Sequence, residues 1–157
     1  MSRRDAMSLR DQFTEQLKVS MKAGDAPRTS SLRMILARLK DIDIAARPKG
    51  VDRVPDEEII AALRGMVKSR RESVELYRQG NRPELVAKEE AEIAVIESFL
   101  PQQMDEAATA QAVADAIAET GAAGIKDMGK VMAALRAKHA VTLDMAKAGQ
   151  MVKARLS

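Results

Sequence analysis

Apolar residues recur along the chain at spacings of three and four, which is the period of an amphipathic helix. No run of β-branched or aromatic residues alternates with polar ones, so the pattern predicts an all-α protein. A first helix is expected from a capping-box-like start at Ser8 to Gly24, and a second from Asp25, with Pro27 in its first turn. The expected buried stripes are Leu9, Phe13, Leu17 and Met21, then Leu32, Ile35, Leu36, Leu39 and Ile42.

Two longer helices follow, and we expect them to fold back on each other as an αα-hairpin. The third begins at Pro55, after a break at Pro48 and Gly50, and the fourth begins around Pro83 and ends at Leu100. The expected seam consists of Ile60, Leu63, Val67, Val74 and Tyr77 on the third helix and Leu85, Ile93, Ile96 and Phe99 on the fourth.

One charged residue interrupts each side of this seam. If Leu63 faces Ile96, the same register places Arg70 opposite Glu89. We therefore predict an Arg70–Glu89 ion pair that sets the register more than it stabilises the fold, because desolvation offsets much of the attraction. The alternative is that both side chains extend to water.

A short linker at residues 101–104 separates this part from an alanine-rich segment with shorter helices. The sequence thus predicts two domains, residues 8–100 and residues 104–157. The first is a four-helix unit with the long hairpin, and the second is a small three-helix tail. Asp105, a start near Ile125, and Thr142 are expected to open the three tail helices. Their expected inward residues are Val113, Ile117, Met128, Val131, Met132, Leu135, Leu143, Ala146, Val152 and Leu156.

Composition excludes several classes of site and location. There is no cysteine and only one histidine, His139, so disulfides and most zinc sites are excluded and no metal or cofactor is expected. No stretch of about 18 apolar residues predicts a membrane span. The segment Met1 to Met7 lacks the apolar core of a secretory signal, and Met7 is an alternative start. We expect a cytoplasmic protein.

No catalytic arrangement is readable in the chain. Residues 124–131 match the phosphate-binding loop pattern G-x-x-x-x-G-K, but Val131 stands where a magnesium-binding Ser or Thr is required, and no strand precedes the loop. The competing interpretation is a helix start in which Gly129 allows close packing. His139 is expected to end a helix, where a cation is favourable, since no nucleophile motif accompanies it.

The formal net charge is +3, from 26 basic and 23 acidic residues, and this mild excess does not by itself indicate a nucleic-acid binder. A basic helix face is expected at Arg64, Lys68, Arg71 and Arg78, although Glu72 and Glu75 interleave with it and favour a salt-bridged surface. Basic residues of the tail could contact phosphates, or form an ordinary solvated surface. They are Lys126, Lys130, Lys138, Lys147, Lys153 and Arg155.

Several segments together resemble a known family. They are residues 31–41 (SLRMILARLKD), 68–73 (KSRRES) with Tyr77, Gly80 and Arg82, 88–93 (KEEAEI), 99–101 (FLP) and 126–132 (KDMGKVM). In order and spacing they resemble the YqeY proteins, also called GatB/YqeY-domain proteins. The resemblance covers nearly the whole chain from Met7 onward.

The resemblance implies the same division into a four-helix unit and a three-helix tail. The tail is similar to the C-terminal domain of the B subunit of the glutamine-dependent aminoacyl-tRNA amidotransferase, a domain that helps to engage tRNA. By matching positions, the implied tRNA-binding candidates are Lys126, Gly129, Lys130, Lys138, Lys147 and Lys153. Family tails often carry glycine before the last helix, whereas this chain has Ala140 and Val141. This departure puts the direction of the Lys138 side chain in question.

The resemblance does not bring catalysis with it, because the ATP-dependent phosphorylation of that amidotransferase lies in a large domain that this chain lacks, and its glutaminase belongs to another subunit. Three hypotheses remain open. The first is a tRNA-associated binding protein without a catalytic site of its own. The second is an accessory component of an amidotransferase-like carbon–nitrogen ligase that uses glutamine as amido-N-donor, which requires protein partners. The third is a helical protein-interaction module, which exposed apolar residues on the first two helices would favour. A membrane or metal partner is not expected.

Overall fold

The structure is a computed structural model, and it describes residues 7–157. The all-α prediction is confirmed, and no strand occurs within this range. The expectations about a secretory signal and about Met1 concern positions that lie outside the described residues. Seven α-helices occur in the described range: α1 (Leu9–Lys22), α2 (Ala26–Ala46), α3 (Asp56–Gln79), α4 (Pro83–Glu97), α5 (Glu106–Thr120), α6 (Met128–His139) and α7 (Met145–Leu156). Short 3-10 turns occupy Arg47–Lys49 and Ile125–Asp127.

The chain divides into two units, one that ends at Leu100 and one that begins at Pro101. The N-terminal unit contains α1 to α4, and the tail unit contains α5 to α7. Each unit has its own buried apolar cluster.

Side-chain caps start three helices where the sequence predicts them. The Ser8 hydroxyl accepts a hydrogen bond from the first turn of α1, and the carboxylates of Asp25 and Asp105 do the same for α2 and α5. These caps satisfy backbone N–H groups that have no partner inside the helix.

The predicted cap of α7 is wrong. Asp144, not Thr142, caps this helix, and its carboxylate accepts from the N–H groups of Ala146 and Lys147 at 3.1 Å each. The N–H of Thr142 donates to the carbonyl of His139, so Thr142 belongs to the turn that precedes the helix. The shift also turns Ala146 outward and buries Ala148.

The core of the N-terminal unit contains an edge-to-face contact between Phe13 of α1 and Phe99 after α4, with ring centroids 4.9 Å apart. Met21 was expected in this core but is 53% exposed, because repeated four-residue steps rotate about 40° around a helix and carry it off the buried face. The buried residues of the cluster are Leu9, Phe13, Leu32, Ile35, Leu39, Val54, Ile59, Leu63, Val67, Ile96 and Phe99.

The hairpin of α3 and α4 buries a slightly different face at its open end. Ile59 is buried, whereas the predicted seam residue Ile60 is half-buried. The prediction considered α4 as the only neighbour of α3, but Ile59 lies in a cluster that also contains residues of α1 and α2. The start of α3 therefore contributes to the core of the whole unit and not only to the hairpin seam.

Arg70 lies in the hairpin seam with its side chain 16% exposed. Its Nε is 4.0 Å from the Glu89 carboxylate and 3.1 Å from that of Glu92, so the closer ion pair is with a residue that the sequence pattern did not single out. The guanidinium also donates to the carbonyl of Met66 and contacts the sulfur of Met34 on α2. Arg70 thus links three helices.

A second partly buried ion pair joins α1 to α2 and to the loop before α3. Arg10 forms two hydrogen bonds of 2.8 Å with the Asp43 carboxylate and donates a third to the Val54 carbonyl at 2.9 Å. The N–H of Val54 donates back to Asp43 at 2.9 Å. The Arg10 hydrogen bond, with the one from Val54, lowers the pKa of Asp43 from 3.8 to about 2, although burial acts in the opposite direction. This Arg10–Asp43 clamp fixes the buried Val54 in an otherwise exposed loop.

Gly65 offers a test of how much glycine destabilises the interior of α3. It lies in the interior of this helix, and a Cβ built there has no heavy atom within 4 Å. We expect Gly65→Ala to raise the free energy of unfolding by about 0.5–1 kcal/mol, because alanine loses less backbone entropy in a helix. Urea unfolding followed by Tyr77 fluorescence measures this, since the N-terminal unit carries the single tyrosine and the chain has no tryptophan.

Gly50 provides the matched control in the same unit. Its Cβ would also meet open space, but its φ of +81° is a conformation that side chains disfavour. Gly50→Ala should therefore lower the free energy of unfolding by roughly 1 kcal/mol. An equal effect of both substitutions would contradict the prediction.

Candidate nucleic-acid interface

The tail unit holds α5, α6 and α7 around a core of small side chains. Fully or nearly buried alanines bring the helix backbones close together, and longer side chains fill the space between them. The buried residues are Ala112, Val113, Ala116, Val131, Leu135, Leu143, Ala148 and Val152. The charged residues of α6 and α7 are therefore left on the outer surface.

Lys126 lies in the 3-10 turn before α6 and Lys130 in the first turn of α6, and both are exposed. The 3-10 turn that carries Lys126 is fixed by Asp127, whose N–H donates to the Gly124 carbonyl at 2.9 Å. The Asp127 carboxylate in turn accepts from the N–H of Ala123 at 3.0 Å. The two lysines thus project from a turn that is held by its own hydrogen bonds.

Gly129, between these lysines, does not have the packing role suggested by its position. It is exposed, and a Cβ built there meets no heavy atom within 4 Å, so the interpretation that it allows close helix packing is wrong. The segment from Gly124 to Lys130 is a 3-10 turn that leads into a helix, which differs from the strand–loop–helix arrangement of a phosphate-binding loop.

Lys147 and Lys153 lie on the exposed side of α7 and flank Gln150. The opposite side of the helix is fixed in the core by Ala148 and Val152, both 0% exposed. The two lysines are six positions apart in the sequence, which corresponds to roughly 9 Å along the helix axis. Within the described part of the chain, neither lysine forms an ion pair, and the same is true of Lys126 and Lys130.

Lys138 differs from the other candidates, because its ammonium group is 2.5 Å from the Glu119 carboxylate of α5. Both side chains are about half exposed, so the pair is a surface salt bridge. The charge of Lys138 is nevertheless matched within the tail unit. The geometry therefore separates Lys138 from Lys126, Lys130, Lys147 and Lys153.

The turn between α6 and α7 does not require the glycine that family tails often carry. Ala140 has a right-handed helical conformation, with φ −52° and ψ −38°. Neither Ala140 nor Val141 has a positive φ. The turn closes through hydrogen bonds from the N–H groups of Thr142 and Leu143 to the carbonyl of His139. Alanine and valine therefore fit this turn without strain.

Charge is unevenly distributed within the tail unit once the helix boundaries are known. Four of its six carboxylates belong to α5 or its cap, whereas residues 125–157 hold seven Lys and Arg against two Asp. Those two, Asp127 and Asp144, accept hydrogen bonds from backbone N–H groups. The α6–α7 part of the tail is therefore a basic surface beside a more acidic helix.

Arg136, which the sequence pattern did not single out, adds to this basic surface. It is exposed on α6 and forms no ion pair within residues 7–157. It follows Gly129 by seven residues, a spacing that places both on one side of a helix. This spacing could have identified Arg136 in the sequence as a neighbour of the candidate Gly129. Arg155, near the end of α7, is also exposed.

The basic helix face of α3 has a different electrostatic environment. Arg71 and Arg78 are paired with Glu97 and Glu90 of α4, at 2.5 Å and 2.7 Å. Lys68 is exposed and Arg64 is half-buried. Carboxylates of α4 thus match the two arginines, so this face offers less unpaired positive charge than α6 and α7.

Within residues 7–157, no three histidine or acidic side chains are grouped so that they could hold a metal ion. No helix in this range is both long enough and apolar enough to cross a membrane.

Comparison with known proteins decides the family. The family model described as Yqey-like protein matches residues 10–156, which is nearly the whole chain. The chain belongs to the YqeY-like family. Because the match runs through both units, the basic α6–α7 surface is part of the YqeY-like region and not an addition to it.

Curated relatives of this YqeY-like protein come from fungi. The chain is 32% identical over 88 residues to Altered inheritance of mitochondria protein 41, mitochondrial, of Lachancea thermotolerans. This alignment covers 56% of this chain and 46% of that protein. The chain is 31% identical over 86 residues to the protein of the same name from Eremothecium gossypii, covering 55% and 45%. An uncharacterized protein of Schizosaccharomyces pombe is 26% identical over 88 residues, covering 56% and 68%. The aligned part spans about half the length of the first two.

Proposed function

We propose that this YqeY-like protein binds tRNA through α6 and α7 of its tail unit and has no catalytic site of its own. The observation that carries the proposal is the basic α6–α7 surface, with Lys126, Lys130, Lys147 and Lys153 exposed and without carboxylate partners in the described range. Unpaired lysines on a fixed surface can neutralise backbone phosphates and release their counterions.

The kind of nucleic acid follows from the resemblance of the tail to the tRNA-engaging domain of the amidotransferase B subunit. The residues themselves favour contacts to phosphate and sugar over reading of bases, because lysine acts as a point charge. The chain also has only three aromatic residues, two of which form the buried Phe13–Phe99 contact, so stacking on single-stranded bases is not favoured. The resemblance and these residue types together favour a folded, double-helical RNA as the target.

The proposal is tested by binding of total tRNA and of a duplex DNA control at two salt concentrations. We expect salt-sensitive binding that prefers tRNA. The double substitution Lys126→Glu and Lys130→Glu should weaken tRNA binding by about tenfold or more. It should also make the negative slope of log K against log salt less steep by about two. Fluorescence anisotropy of labelled tRNA gives both quantities.

The matched control reverses two exposed lysines of the hairpin, Lys68 and Lys88. The double substitution Lys68→Glu and Lys88→Glu makes the same change in net charge, so it separates a local effect from a general one. Affinity close to that of the unmodified protein is expected. An equal loss in both double variants, or binding that is insensitive to salt, would contradict the proposal.

A further inference from the structure

The side of α1 that points away from the core carries charges in a definite order. Asp11 and Glu15 lie toward its start, and Lys18 and Lys22 toward its end. Spacings of four, three and four residues place them in one stripe. We define the outer face of α1 as Asp11, Thr14, Glu15, Lys18, Val19 and Lys22, which together with Met7 line a shallow depression.

Nothing within the described part of the chain uses these charges. None of Asp11, Glu15, Lys18 and Lys22 forms an ion pair there. The helix dipole explains an acid in the first turn and a base in the last, but its effect falls off within one turn and does not account for Glu15 and Lys18. Beside this stripe, the apolar side chain of Val19 is 52% exposed.

The order of charges makes the outer face of α1 complementary to itself. In an antiparallel pair related by a two-fold axis, a register that sets Asp11 against Lys22 of the second copy also sets Glu15 against Lys18. The same register places Val19 against the methyl group of Thr14. By symmetry each of these contacts occurs twice, and no like charges face each other.

We propose that two copies of this chain associate through the outer face of α1 in this antiparallel register. This inference goes beyond tRNA binding and does not rest on it. The outer face comprises six residues of a fourteen-residue helix and offers less than the roughly 800 Å² per partner of a standard interface, so the dimer is weak, with a Kd on the order of 0.1 mM. Association therefore depends on the local concentration of the protein.

Sedimentation velocity of the full chain tests the proposal, from about 10 μM to about 1 mM, a range that spans the expected Kd. Glu15→Lys and Lys18→Glu, made singly, should each weaken the dimer by about tenfold or more, because symmetry creates two like-charge contacts. The double substitution restores opposite charges across the axis and should return the Kd to within about threefold of the original. Higher salt should weaken the original dimer.

The control is Glu75→Lys, which makes the same charge change as Glu15→Lys at an exposed position of α3. It should leave the Kd unchanged. Far-UV circular dichroism confirms that each variant retains its helices, as expected because Lys18 and Glu75 are exposed and Glu15 is partly exposed. A protein that sediments as a monomer throughout, single reversals that have no effect, or a double variant as weak as the single ones would each overturn the proposal. Binding of tRNA is measured in parallel and should not change.

Discussion

Replacing Asp43 by alanine should lower the free energy of unfolding of the N-terminal unit by about 3 kcal/mol. The Asp43 carboxylate holds Arg10 through two hydrogen bonds of 2.8 Å, and the two side chains are only 13% and 17% exposed. Without it, the guanidinium stays half-desolvated with the Val54 carbonyl as its remaining acceptor, and the N–H of Val54 loses its partner. Urea unfolding followed by Tyr77 fluorescence measures the loss.

The effect of this substitution should depend on pH in a defined window. The folded-state pKa of Asp43 is about 2, below its ordinary value of 3.8, so the ionised carboxylate stabilises the folded state above that ordinary value. This stabilisation, roughly 2 kcal/mol, is lost as pH falls from 3.8 through about 2. The difference between the original protein and Asp43→Ala should therefore shrink across this window.

Asp41→Ala is the matched control, because Asp41 is exposed on the same helix and forms no ion pair within residues 7–157. We expect it to change the free energy of unfolding by less than about 0.5 kcal/mol. A comparable loss in both variants would mean that the charge of α2, and not the clamp, matters. A loss for Asp43→Ala that is constant from pH 5 to pH 2 would contradict the assigned pKa.

The helices could be predicted from the sequence because their signals are local. Ser8, Asp25 and Asp105 cap the helices they precede through contacts three residues away, and the apolar spacing of each helix marks its buried side. At Met21 and Ile59, however, the apolar spacing predicted the wrong burial. The geometry of a whole helix, and the presence of more than one neighbouring helix, decide which residue at the edge of a stripe is buried.

The Arg10–Asp43 clamp could not be predicted, because its partners are 33 residues apart and belong to no periodic pattern. For the tail, the sequence supplied Lys126, Lys130, Lys147 and Lys153 through the family resemblance. It could not separate them from Lys138, because the partner of Lys138 is 19 residues away on another helix. Long-range pairing of charges thus distinguishes the unpaired lysines from the paired one.

Long-range pairing also underlies the second large effect, which concerns Arg70. We expect Arg70→Ala to lower the free energy of unfolding by about 2–3 kcal/mol, because it leaves Glu89 and Glu92 near each other, about 20% exposed and without their cation. It also removes the contacts with Met34 of α2 and the Met66 carbonyl. The same Tyr77 unfolding measurement gives the value.

Its neighbour Arg71 separates this effect from the loss of any arginine in the hairpin. The Arg71–Glu97 pair is 66% and 43% exposed, so Arg71→Ala should cost less than about 1 kcal/mol. If unpaired carboxylates cause the loss at position 70, adding Glu89→Gln and Glu92→Gln to Arg70→Ala should recover part of it, since neutral amides are cheaper to bury. No recovery would mean that the contact of Arg70 with α2 supplies most of the stabilisation, and Met34→Ala should then reproduce the loss.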